Sequence, residues 1–253
     1  MNTNFFTPYI HNFLFILLRA GIVIVLLPFF GSANFPAQIK IGLAVAVAVI
    51  LAPIIDIKIP GKGAIPLMVI HEVLLGMTFA FVARVVFFAI EMAGQMISNA
   101  MGLSIANVFN PEIGQSTEMS QLLGFIVMLV FLSMDAHHDL IYMFVRSYEW
   151  LPAGEMSIGN LVPVVVSLGS TMFIIALKLS APVILTMVIS HMLLGFVYKA
   201  APQINIFFVA YPIYIVVGLV VLIVGMPVLL GVTGNYIGTI KDEMARVLIA
   251  VKG

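Results

Sequence analysis

Cysteine is absent from this chain, which excludes disulfides, thiolate metal sites and a cysteine nucleophile. Charge is almost as scarce: 11 Lys and Arg and 11 Asp and Glu in 253 residues, or 9%, against about 25% in soluble domains. So few charges cannot coat a soluble body of this size. The formal net charge of +0 leaves no basic face, so nucleic acid is not an expected partner. A basic region ahead of the first apolar run is also missing from MNTNFFTPYIHNF, and the first helix is therefore expected to be retained. What is present is 62% hydrophobic residues, in runs that mark a polytopic integral membrane protein of all-α class.

The first run, Tyr9 to Phe30, holds Arg19 near its centre. A guanidinium there costs about 2.5–3.5 kcal/mol on insertion scales unless it snorkels or is paired, and Glu72 and Glu91 are the obvious carboxylates. A short run follows from Ile39 to Ile55, and then a long one from Pro66 to Asn99. As one straight helix the latter would measure ~50 Å, longer than the hydrocarbon core. It carries Glu72, Arg84 and a polar line of Glu91, Gln95 and Asn99 at helical spacing, suited either to bonding between helices or to lining a conduit. Leu122 to Leu132 leads to Asp135, His137, His138 and Asp139, read as a surface turn, and Tyr148 and Trp150 suit an interface. The expected division is a front helical region over residues 1–150, a linker over 151–160, a helical hairpin over 161–238 and a short amphipathic tail over 239–253. Pro182, Pro212 and Pro227 inside the hairpin predict kinks, and Lys178 and His191 are its intramembrane ionisable groups. The apolar runs amount to about six crossings.

Between the long run and Leu122 lies MGLSIANVFNPEIGQSTEMSQ, from Met101 to Gln121. Asn110-Pro111 and Gly114 forbid a continuous helix, and a loop exposed to lipid would leave backbone groups unsatisfied. The segment must therefore sit in water, against protein or inside a pore. We read it as closing a pore near 106–121, with Asn107, Val108, Phe109, Asn110, Pro111, Glu112, Gly114 and Gln115 as the plug. Met96, Met101 and Met119 flank it, and flexible thioethers suit a deformable gasket.

Other constellations fall short of a site. HEVLL, from His71, has Leu75 where a second zinc ligand would stand. GLSI, at Gly102 to Ile105, has Ile105 where a serine-protease motif would carry glycine, with His191 as a conceivable base. Asp135, His138 and Asp139 share a helical face but suit a solvated helix end. A proton relay through His71, Glu72, Glu91, Lys178 and His191 would make the chain a proton-coupled secondary transporter, the alternative reading, although no inverted repeat is evident. No catalytic residue, metal or cofactor is expected.

The order and spacing of several short motifs carry a resemblance. They are Arg19, Gly21, Pro28, Phe29, Gly31, Pro36 and Lys40; Glu72 and Gly76; Gly94; MGLS from Met101 to Ser104; Phe109-Asn110-Pro111; DAHHDLI from Asp135; and Lys178, Ala181-Pro182 and AAPQIN from Ala200. In these the chain resembles the FliR family, the R subunit of the flagellar type III export gate, related to the T subunit of virulence injectisomes. The family loop usually carries Asp where Asn110 stands, and Asn-Gly-His where Asp135, Ala136 and His137 stand. The resemblance implies a front region like the P subunit and a C-terminal hairpin like the Q subunit. It implies assembly with P and Q subunits in the bacterial cytoplasmic membrane, at the flagellar basal body, with B and A subunits as further partners. Unfolded flagellar proteins would pass through the centre, the 106–121 loop would plug it, and Arg19, Glu72, Arg84, Glu91 and Lys178 would serve subunit packing.

Overall fold

A computed structural model describes residues 7–27, 36–55, 57, 65–103, 118–152, 156–203 and 206–252. Their architecture is all-α. In chain order the helices are α1 (Thr7–Leu26), α2 (Ala37–Leu51), α3 (Ile65–Ala100), α4 (Glu118–Ser133), α5 (Ala136–Trp150), α6 (Ile158–Ala200), α7 (Ile206–Gly238) and α8 (Ile240–Val251). Among the described residues, 4 helices are long and apolar enough to cross a membrane, or 5 if the bent pair α4 and α5 is one span. This corrects the larger number expected from apolar runs. The reason is length: α2 has 15 residues, short of the ~20 that a crossing needs, and α4 stops at Ser133, before Asp135 takes a left-handed φ of 54°. By contrast α3 is a single helix of 36 residues, about 54 Å long. Neither Pro182 in α6 nor Pro212 and Pro227 in α7 ends its helix.

The chain divides into two compact units. The first comprises Met1–Val85, Ala136–Gly169 and Thr239–Gly253. In it α1 and α2 form a hairpin fastened by Asn12, which is only 6% exposed. Its amide donates to the Ile55 carbonyl at 2.8 Å and the Ala52 carbonyl at 3.4 Å. Its Oδ1 accepts the Ile57 N–H at 3.2 Å. One side chain thus meets backbone groups that the end of α2 leaves without helical partners. The amphipathic α8 turns Met244, Val247, Leu248 and Val251 toward Leu75, Thr78, Phe79 and Val82 of α3. Its end is held by a 2.9 Å bond from Ser157 N–H to the Val251 carbonyl, while Lys241 reaches Asp139 on α5 at 3.5 Å.

The second unit comprises Val86–Asp135 and Ser170–Gly238. Here α3 and α4 approach so closely that a Cβ on Gly94 would lie 2.5 Å from Ser120 Cα and 2.7 Å from its nitrogen. Small residues permit such approach where water supplies no driving force between helices. Gly124, on α4, has nothing within 4 Å of where a Cβ would stand. Gly94→Ala is therefore expected to push the helix backbones apart and lower the unfolding midpoint in detergent. Gly124→Ala should leave the midpoint unchanged or raise it, because alanine favours helix by about 0.5–1 kcal/mol. Equal midpoints for the two variants would contradict this packing.

Candidate functional site: a buried ion pair and the anchored ends of the polar segment

In the first unit Arg19 and Glu72 form a salt bridge with 2% and 0% side-chain exposure. The guanidinium meets the carboxylate through Nε to Oε2 and Nη2 to Oε1, each 2.6 Å. This is the planar bidentate geometry available to arginine and not to lysine. Nη1 donates to Ser147 Oγ at 3.0 Å, and Nη2 also reaches the Leu151 carbonyl at 3.5 Å. Ser147 in turn donates to the Phe144 carbonyl at 2.6 Å. The Tyr148 ring covers the cation, its centroid 4.0 Å from Cζ.

Gly76 explains how the pair can form. It lies one turn after Glu72 on α3, and a Cβ there would meet Ile22 Cβ at 3.2 Å and the Arg19 carbonyl at 3.4 Å. The absent side chain lets α1 and α3 come together where the charges must meet. The sequence offered Glu72 and Glu91 as partners for Arg19, and the structure selects Glu72. Ser147, Tyr148 and the Leu151 carbonyl were missed. Tyr148, expected at an interface, is instead 6% exposed beneath the guanidinium. The signal available was its place beside Ser147 and one turn after Phe144, both on the buried face of α5.

The expected plug residues Asn107, Val108, Phe109, Asn110, Pro111, Glu112, Gly114 and Gln115 lie outside the described residues, as does Ser104. Both flanks of their segment are described, in the second unit. On the leading flank α3 ends in a glycine cap. Gly102 has φ +77°, with Tyr211 of α7 only 2.9 Å from where a Cβ would stand, and Leu103 N–H bonds the Ser98 carbonyl at 3.0 Å. Met101 is 0% exposed and fills the space over Gly218, its side chain 2.7 Å from a Cβ built there. On the trailing flank Ser120 donates to the Glu91 carbonyl at 2.9 Å. Both ends of the segment are thus tied to the last turns of α3.

Of the remaining candidates, Asp135 and His138 come together with His137, their ligand atoms within 4.8 Å of one another. Met96 and Met119 are half-buried, and Ser180 Oγ lies 3.6 Å from Met96 Sδ. Arg84 is half-buried, while Glu91 and Lys178 are exposed. Lys178 Nζ donates to the Tyr236 hydroxyl at 3.4 Å. His191 Nδ1 lies 2.6 Å from the Met187 carbonyl, its ring 4.1 Å from that of Tyr214. His71 is buried in the first unit.

Residues 10–240 match the family model described as bacterial export proteins, family 1. The chain belongs to this family. It is 33% identical over 249 residues to the flagellar biosynthetic protein FliR of Bacillus subtilis strain 168, covering 95% of each chain. It is 31% identical over 207 residues to the FliR of Caulobacter vibrioides, covering 79% of this chain and 82% of that one. The secretion system apparatus protein SsaT of Salmonella typhimurium is 28% identical over 166 residues, 63% of each chain. Within this family member, Arg19, Glu72, Gly76 and Gly94, four of the residues that carried the resemblance, have assigned physical work: a buried charge, its partner and the close approaches of α3 to α1 and α4.

Arg19→Met leaves Glu72 buried without a counter-charge, and loss of one partner of such a pair costs about 3–5 kcal/mol. Its unfolding midpoint in detergent and its level in the membrane should both fall sharply. The double variant Arg19→Met with Glu72→Met should regain most of the loss, because it removes both charges. A double variant as poor as the single one would show that the pair is not the source of the defect.

Proposed function

We propose that this chain is a non-enzymatic component of the flagellar type III protein export gate. Together with P- and Q-type subunits it forms the channel entrance for unfolded flagellar proteins in the bacterial cytoplasmic membrane, at the flagellar basal body. B- and A-type subunits of the apparatus are further partners. The front region, residues 1–150, takes the place of a P subunit, and the hairpin 161–238, after the linker 151–160, that of a Q subunit. The tail 239–253 is a short amphipathic segment. The segment near 106–121 plugs the closed pore, with Met96, Met101 and Met119 beside it as gasket, and Arg84 and Lys178 serve packing against neighbouring subunits.

The single observation that carries this reading is family membership over residues 10–240, joined by a relative named for flagellar biosynthesis that matches over 95% of this chain. The flanks add physical support. A polar segment fastened at both ends to α3, through the Gly102 cap and Ser120, can be displaced and return without unfolding the helices that hold it. A proton relay is disfavoured by Glu72, which gives both carboxylate oxygens to Arg19. It is disfavoured too by the separation of Lys178 and His191 along α6, about 20 Å at helical rise.

Deleting Asn107 to Thr117 in cells that assemble the complete apparatus should raise membrane conductance to small ions, because the material that fills the lumen is then gone. Conductance equal to that of the unaltered chain, at equal assembly, would refute the plug.

A further inference from the structure

The face of α3 that carries Glu91, Gln95 and Asn99 is the one polar stripe on an apolar helix for which the described residues supply no use. Glu91 and Asn99 are exposed and Gln95 is half-exposed. The side chains of all three make no hydrogen bond or ion pair with any described residue. Only backbone is engaged here: the Glu91 carbonyl accepts Ser120 Oγ, and the Asn99 carbonyl accepts the Gly102 N–H. A carboxylate and two carboxamides left unpaired on an apolar surface must be met by water or by a polar ligand.

The side-chain chemistry points to that ligand, and the helical spacing admits it. Carboxamides donate and accept at once, as a peptide backbone does, and Glu91 adds an acceptor for N–H and cationic groups. Residues four apart on a helix advance about 6.0 Å, and two residues of extended chain advance about 6.6–6.8 Å. Glu91, Gln95 and Asn99 therefore stand close to the repeat at which an extended polypeptide presents backbone groups on one side. We infer that this stripe is a binding ladder for the main chain of an extended polypeptide, indifferent to its sequence and lying in a hydrated path. The inference rests on the proposed export role and adds to it the residues that touch the passing chain.

The test places a photo-reactive residue at position 91, 95 or 99, or at the control positions 125 and 129, in the complete apparatus in cells. An export substrate fused to a tightly folded domain is stalled in transit. Phe125 and Leu129 are 71% and 68% exposed on α4 but offer no polar group. Adducts with the stalled substrate at 91, 95 and 99, and none at the controls, are expected. Capture of only a neighbouring subunit or lipid at those positions would overturn the ladder. The triple variant Glu91→Leu, Gln95→Leu and Asn99→Leu should slow export about fivefold, the worth of one net hydrogen bond, while co-purifying normally with the apparatus. An unchanged export rate would also overturn it. Cells lacking the chain separate the two claims: if they still export, the proposed function itself fails, whatever the stripe does.

Discussion

The bidentate contact of Arg19 with Glu72 is the interaction on which the first unit depends. Two charges removed from water are tolerable only when they meet each other with good geometry and their remaining hydrogen-bonding capacity is also met. Here the carboxylate on α3, and Ser147 with the Leu151 carbonyl at the end of α5, supply that capacity from two separate stretches of chain. The consequence is directional. Apolar side chains would pack in many registers, whereas a planar fork closed on a carboxylate fixes how α1, α3 and α5 meet.

Shape acts alongside charge. Gly76 lets α1 reach α3 beside the ion pair, Gly94 lets α4 reach α3, and Gly218 receives Met101. Asn12 performs the equivalent task for backbone, closing the end of α2 with one buried amide. Polarity is thereby divided. Arg19, Glu72, Asn12 and Ser147 are turned inward and satisfied within the first unit. Glu91, Gln95 and Asn99 are turned outward on the second, without partners among the described residues. On the proposed reading, the inward set holds the chain together and the outward set does its work on other polypeptides.

Much of this was legible from residue order alone. Long apolar runs declared the helices, Arg19 declared a need for a carboxylate, and the spacing of Glu91, Gln95 and Asn99 declared a polar face. What stayed hidden was of other kinds. Ser147 and Leu151 lie more than a hundred residues from Arg19, and no local pattern tells which distant hydroxyl or carbonyl will complete a site. Tyr148 looked interfacial because Tyr and Trp are enriched where a helix meets the membrane surface, yet the cation recruited its ring. The number of crossings was overstated because hydropathy counts apolar length without seeing where α4 stops or how short α2 is. Gly94 and Gly218 gave no periodic signal; only the neighbouring backbone or thioether reveals what each glycine is for.

The central claim is that this chain works as one subunit of a protein-conducting assembly. Mass measurement of the intact complex isolated with it from bacterial membranes tests that claim most directly. The account predicts a hetero-oligomer containing subunits of P and Q type bound to this chain. A mass corresponding to this chain alone, or only to copies of itself, would contradict it.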